Sequence, residues 1–274
     1  MNLSFSIQPA KIDTSSADLY LDINAQSLSY VILDSNICLA LVIYRFEKGI
    51  ADEAIAKNVH QVVAEQPILQ QRFNTVHVTY GFSPFVLVPH QFMNGTDNHA
   101  MLELVYGKSN ERVIRADFMY RHAIHIIYGI PKSLDAVIRQ YFELAQCTHL
   151  FSILPDVVNA EGNHLYCIFN TGQIKVVLMK EGKLQLMQNY SYNTPGDAAF
   201  HLLTICKNFE VDVNGCKVHV SGMIDESSAL FAELYKYFLQ IQLDFLPEKF
   251  QYPEEINQYP PHYFSHLFSI AVCA

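Results

Sequence analysis

The chain repeats itself. Residues 165–178 read Leu-Tyr-Cys-Ile-Phe-Asn-Thr-Gly-Gln-Ile-Lys-Val-Val-Leu: an apolar strand, a polar elbow at Asn170-Thr171-Gly172, and a second apolar strand. Residues 29–42 follow the same plan, Ser-Tyr-Val-Ile-Leu-Asp-Ser-Asn-Ile-Cys-Leu-Ala-Leu-Val, so Tyr30 falls against Tyr166, Ile32 against Ile168 and Asp34 against Asn170, an offset of 136. A second echo, Val76-His77-Val78-Thr79 with Val218-His219-Val220-Ser221, has an offset of 142. Two echoes at nearly equal spacing, in a chain of 274 residues, predict a duplicated domain in which each copy buries its own core.

Composition narrows the classes. Half the residues are apolar and 16% are charged, which suits globular domains and leaves little room for long disordered tails. A formal net charge of −9, with 18 Lys and Arg, argues against binding nucleic acid through phosphate neutralisation. The first residues have no basic n-region followed by an apolar run, so they do not read as a signal peptide. No run approaches the ~18–20 apolar residues that span a bilayer, so no transmembrane segment is predicted and a cytoplasmic location is expected. Six cysteines at positions 38, 147, 167, 206, 216 and 273 form no Cys-x-x-Cys pair and read as reduced thiols.

Along the chain, residues 1–26 show no clear period and read as an N-terminal extension or edge strand. Residues 28–33 and 37–46 predict a hairpin. Asp52 is positioned to cap a helix striped by Ile55, Val59, Val62 and Val63, ended by Pro67. Short strands follow at 76–80 and 85–88, then a loop at 94–98, a short helix at 100–105, strands at 113–120 and 122–128, a helix opened by Ser133, and a strand at 150–154. The second half predicts strands at 165–169, 174–179 and 184–192, and a helix from Thr194-Pro195-Gly196-Asp197. There Thr194 supplies the cap oxygen, Pro195 loses no needed N–H, and Asp197 meets the positive helix end. A strand at 217–221, a helix opened by Asp225, a strand at 240–245, a proline-rich connector at 247–261 and a final helix at 263–273 complete the chain.

Three antiparallel strands, helix, strand, helix, strand, helix is the order of the ribonuclease-H-like module. The predicted fold class is α/β, with one module and an N-terminal extension in residues 1–154 and a second in 155–274. Two such modules, each opening on a strand–elbow–strand hairpin, resemble the actin-like ATPase superfamily, including pilus-assembly proteins of the PilM type. More narrowly the chain resembles an uncharacterised Bacteroidetes family with that fold, on Phe85-Val86-Leu87-Val88-Pro89, the two hairpins and Phe268-Ser269-Ile270-Ala271-Val272.

The resemblance implies a cleft between the modules in which each elbow grips the phosphates of ATP with Mg²⁺. That chemistry needs a carboxylate at the end of the first strand, and glycine beside it so that backbone N–H groups reach the phosphates. The elbow Asp34-Ser35-Asn36 keeps the acid without a glycine. The elbow Asn170-Thr171-Gly172 keeps a glycine with an amide where the acid belongs. The adenosine-side motif keeps Gly222 and replaces its neighbour with Ser221. Asp34, Ser35, Asn170, Thr171, Gly172 and Gly222 are therefore the expected nucleotide contacts, and their incompleteness points to a non-catalytic scaffold with protein partners. An active Mg-ATP-dependent ATPase or small-molecule kinase is the alternative. His262 and His266, four apart, lack an acidic third ligand nearby, and His122 and His125 are expected on opposite strand faces. No set of converging carboxylates suits a two-metal nuclease, and neither a Walker-type loop nor a Gly-x-Ser-x-Gly elbow occurs.

Overall fold

The computed structural model describes residues 1–9, 12–93, 97–157 and 161–273. It divides into two compact units, one of residues 1–153 with 248–256, the other of 154–247 with 257–273. The predicted loop at 94–98 falls partly on residues 94–96, outside the described residues.

In the first unit, strands β1 (Asn2–Ile7), β2 (Asp18–Ile23), β3 (Ser27–Asp34) and β4 (Ile37–Arg45) lead into helix α1 (Asp52–Glu65) and strand β5 (Thr75–Tyr80). An insertion follows: β6 (Phe85–Pro89), α2 (Asn98–Tyr106), β7 (Arg112–Met119) and β8 (Ile124–Pro131), whose strands form their own sheet in the order β6-β8-β7. Helix α3 (Lys132–Tyr141) and β9 (Gln146–His149) come next, and α4 (Leu150–Val157) begins in this unit and continues from Leu154 in the second. The main sheet has the order β1-β4-β3-β2-β5-β9.

The second unit runs β10 (Asn163–Asn170), β11 (Gln173–Lys180), β12 (Lys183–Ser191), α5 (Pro195–Asn208), β13 (Lys217–Gly222), α6 (Ala229–Tyr235) and β14 (Gln240–Leu243), and closes with α7 (Ser265–Cys273). Its sheet order, β12-β11-β10-β13-β14, is that of β4-β3-β2-β5-β9. In both, the first strand is antiparallel to the second and parallel to the fourth. The duplication is therefore written in the strand pairing.

The pairing also corrects the repeat alignment. β10 is equivalent to β2, not β3, because these are the strands flanked by an antiparallel and a parallel partner. Tyr20 pairs with His77 and Tyr166 with His219, so the first-strand offset is 146, from Tyr20 to Tyr166. The turn at Asp34–Ile37 is equivalent to that at Lys180–Lys183, and Ser35 (φ 55°) and Glu181 (φ 48°) take the same left-handed conformation there. Residues 18–23, within a stretch expected to be an extension or an edge strand, form the central strand. β1, from the same stretch, is an edge strand on β4, the second of those two expectations.

Other elements depart from expectation locally. The run at 150–154 is helical and the strand precedes it at Gln146–His149, since a short apolar run fits either period. Asp52 lies inside the first turn of α1 and pairs with Arg112, leaving Ala51 at the cap. Ser228, not Asp225, caps α6, its hydroxyl accepting from Phe231 N–H. His122 sits in a short helical turn before β8. The start of α5 is as predicted: Thr194 and Asp197 form a reciprocal capping box, with Pro195 in the first turn.

The second unit's core shows how the face is chosen. Leu165, Cys167 and Phe169 on β10, Ile174, Val176 and Leu178 on β11, and Val218 and Val220 on β13 are buried together with Ala198, Leu202 and Ile205 of α5 and Leu234 of α6. Alternation sends His164, Tyr166, Ile168 and Asn170 to the opposite face. There Tyr166 stacks on His219 with ring centroids 4.3 Å apart, and His219 Nε2 lies 2.9 Å from His164 Nδ1. The first unit repeats the stack with Tyr20 on His77, at 4.9 Å. The repeated histidines are thus packing partners of a tyrosine.

Burial, then the neighbouring His164 and Lys217, pushes His219 down to about 4. A histidine with a depressed pKa binds fewer protons in the native than in the unfolded chain between pH 4 and its ordinary 6.5, so stability rises with pH across that window. His219→Phe keeps a ring on Tyr166 and is expected to flatten the slope by up to about 1.4 kcal/mol per pH unit, read from urea unfolding at several pH values. An unchanged slope would show that His219 titrates normally.

Candidate functional site

The elbow that ends the first strand and begins the second lies at residues 24–27 in the first unit and 170–173 in the second. Asn24 and Asn170 are equivalent. Asn24 N–H donates to Ser27 C=O, as expected of a tight two-residue turn, and Asn170 pairs with Gln173.

In the first unit the tip is closed by Asn24. Its carboxamide, 2% exposed, accepts through Oδ1 from Gln26 N–H (2.9 Å) and Ser27 N–H (3.1 Å). Its Nδ2 donates to Ser27 Oγ (2.8 Å) and to Asp22 Oδ2 (3.3 Å). Asp22 is buried and lies in register with Ser29 on one side and Thr79 on the other, both also buried. Ile23 C=O accepts from Gly81 N–H (2.9 Å) and Gln26 C=O from Phe46 N–H (2.8 Å).

The second elbow is built differently. Gly172 has φ +70°, and its C=O accepts from Tyr192 N–H (3.0 Å), while Tyr192 Oη donates to Asn170 C=O (2.9 Å). Gly222 pairs with Phe169, one residue before the elbow. A Cβ at Gly222 would lie 2.3 Å from Phe169 O, so the strands approach too closely there for any side chain. The neighbouring Met223 N–H donates to Phe169 C=O at 2.7 Å. Asn170, Thr171, Gly172 and Gly222 are thus brought together at one end of β10 and β13.

Asp34 and Ser35 sit at the β3–β4 turn, one hairpin along from the first elbow. Asp34 accepts from Ser16 Oγ (3.1 Å). The turn is clamped by residue 251: Asn36 C=O accepts from Gln251 N–H (2.7 Å), and Cys38 N–H donates to Gln251 C=O (2.9 Å). The proline-rich segment at 247–261 therefore bonds to its own chain, with Phe250 and Ile256 buried.

A nucleotide site of this kind needs backbone N–H groups turned outward to phosphate oxygens and a carboxylate within reach of hydrated Mg²⁺. At residues 24–27 two of the N–H groups already have an acceptor in Asn24, and the nearest carboxylate, Asp22, is buried and hydrogen-bonded to the same side chain. At residues 170–173 there is a glycine but no acid. The donor set does not fit a Mg-nucleotide at the first elbow. Sequence reasoning missed Asp22 and Asn24, although alignment on the Tyr20–His77 and Tyr166–His219 pairs would have set Asn24 against Asn170. His262 and His266 do not converge, for His262 Nε2 meets Ile224 C=O (2.7 Å) and His266 Nδ1 meets Ser221 Oγ (3.0 Å). Among the described residues no three His, Cys, Asp or Glu side chains form a metal-binding group.

Comparison with known proteins agrees with this architecture. The family model described as "Protein of unknown function (DUF3822)" matches residues 8–241. A Bacteroides thetaiotaomicron protein with an actin-like ATPase fold and unknown function superposes with TM-score 0.79 at 15% identity, over 95% of this chain and 97% of that one. The PilM-PilN type IV pilus biogenesis complex matches with TM-score 0.62 at 11% identity, over 93% of this chain and 97% of that one. Ethanolamine utilization protein EutJ from Carboxydothermus hydrogenoformans matches with TM-score 0.53 at 10% identity, over 94% and 90%. No curated protein matches the sequence. At these identities the likeness shows the fold: this chain has the actin-like ATPase fold. Among the described residues no helix is long and apolar enough to cross a membrane.

Gly222→Ala is expected to destabilise by roughly 2–4 kcal/mol, since it combines a strained φ with a backbone collision. Gly49→Ala, at a similar φ (+76°) but with open space around the added carbon, should cost only about 1 kcal/mol. Equal losses in denaturant unfolding would remove the close approach of β10 and β13 as the reason for Gly222.

Proposed function

The chain belongs to the DUF3822 family, and we propose that it is a non-catalytic interaction protein, an actin-like fold that engages a protein partner and does not turn over nucleotide. One observation carries the reading: the Asn24 carboxamide accepts the Gln26 and Ser27 N–H groups that a phosphate would need. The amide at Asn170, standing where a metal-facing acid is required, supports it. So does the fold's likeness to a protein solved in a complex, PilM with PilN. The net charge of −9 and the lack of a membrane-crossing helix among the described residues suit a cytoplasmic location and a protein, not a nucleic-acid, partner.

A second reading, a Mg-ATP-dependent ATPase or small-molecule kinase, draws on Gly172 at φ +70° and on the Asp22 carboxylate. Thermal unfolding with millimolar ATP and Mg²⁺ separates the two. A ligand at ~100 times its Kd adds roughly 2.7 kcal/mol, which raises the midpoint of a chain this size by about 5–10 °C. The proposed function predicts no shift. A shift of several degrees, abolished by Thr171→Glu at the exposed tip of the second elbow, would overturn it.

A further inference from the structure

In the second unit a cavity of about 300 Å³ lies on the sheet face that carries Tyr166, Ile168 and Ser221. That volume is at the lower end of small-molecule sites. Its walls are largely apolar, with Leu154 and Val157 of α4, Phe245 and Pro247 beyond β14, and Val272 of α7. Asp244, Ser221 and His266 supply its polar side.

These polar groups are fixed and linked. Asp244 N–H donates to Val220 C=O (2.9 Å), so the residue continues the ladder of β13 and β14 with its backbone pinned. Ser221 Oγ stands 2.7 Å from Ser265 Oγ and 3.0 Å from His266 Nδ1, and it donates to His262 C=O at 3.0 Å. The hydroxyls of Ser221 and Ser265 and the His266 imidazole are therefore linked beside the carboxylate, whose pKa the Ser265 hydroxyl lowers.

The cavity's own lining carries one carboxylate, Asp244, while the buried Lys175, paired with Ile168, acts on His266. Burial pushes Asp244 up to about 6, opposed only by the Ser265 hydroxyl, and among the described residues it has no ion pair. Burial and the Lys175 charge push His266 down to about 3, so near neutral pH the imidazole carries no charge to offset the carboxylate. Asp244 is half-buried, and a carboxylate partly withdrawn from water without an ion pair is stabilised by a cation brought in by a ligand. Apolar walls strengthen such a pairing by excluding water, and they select a ligand with an apolar body.

We infer that this cavity is a binding site for a small organic ammonium ion, whose –NH₃⁺ meets Asp244 and whose apolar body lies against Leu154, Val157, Phe245 and Val272. The site lies wholly on residues of the second unit and does not depend on whether the elbows bind nucleotide.

Calorimetric titration of the full chain near neutral pH tests this with 2-phenylethylamine, 2-phenylethanol and 3-phenylpropionate as cationic, neutral and anionic probes of similar shape. The amine should bind with Kd below about 1 mM, the alcohol at least roughly tenfold more weakly, and the acid not detectably. Asp244→Asn should weaken the amine at least roughly tenfold without lowering the melting temperature, because it removes a half-buried charge that has no ion pair among the described residues. Ser269→Leu, which fills the cavity and leaves the carboxylate in place, should abolish binding even if Asp244→Asn fails to fold. No amine binding at about 10 mM, equal affinity for amine and alcohol, or binding that survives Ser269→Leu would overturn the assignment.

Discussion

In each unit one strand is hydrogen-bonded along both edges, to an antiparallel neighbour on one side and a parallel neighbour on the other. β2 and β10 hold this place, and the rest of each sheet is ordered outward from them. Because both faces of such a strand are covered, its alternation fixes two layers at once. One set of side chains, Leu165, Cys167 and Phe169, enters the helix-covered core. The other set, His164, Tyr166 and Ile168, builds the face that carries the histidine stack and the cavity. A slip of one residue would exchange the sets, placing the histidine and tyrosine rings in the aliphatic core.

The end of this strand decides the chemistry. In the first unit the chain turns on Asn24, whose side chain satisfies the turn's own amides and ties them to Asp22. An Asx-type closure of this sort stabilises the turn without any ligand. It also withdraws the donors that would make the turn an anion site. In the second unit the turn relies on Gly172 and on Tyr192, with Gly222 pressed against Phe169. The same position in two copies of one fold is thus held by two different sets of local bonds, and neither set combines outward amides with an acid.

Much of the second unit was legible because its signals are local. The 170–173 and 180–183 turns and the Thr194 capping box are short-range bonds that residue type determines. The first unit was harder to read at one point that mattered. Asp18, Tyr20 and Asp22 stand among Leu19, Leu21 and Ile23 in a stretch of residues 1–26 without a clear overall period, yet Asp22 is buried at the centre of a sheet beside Ser29 and Thr79. A polar row satisfied inside a sheet leaves no hydrophobic run to find. The more apolar β3–β4 pair carries the stronger hairpin signal, which points to Asp34 where the structure has Asn24. The cavity was illegible for another reason. Tyr166, Ser221, Asp244 and His266 come from four separate elements, and only the strand order brings them to one face.

The central claim, that the first elbow's amides are already satisfied from within, can be observed at the amides themselves. Backbone ¹⁵N–¹H spectra of the full chain, recorded as Mg-ATP is added to about 10 mM, follow Gln26 and Ser27 directly. Their resonances are expected to stay fixed, with slow solvent exchange, because Asn24 Oδ1 already accepts both. Saturable movement of those two resonances, or rapid exchange in the free protein, would contradict the account.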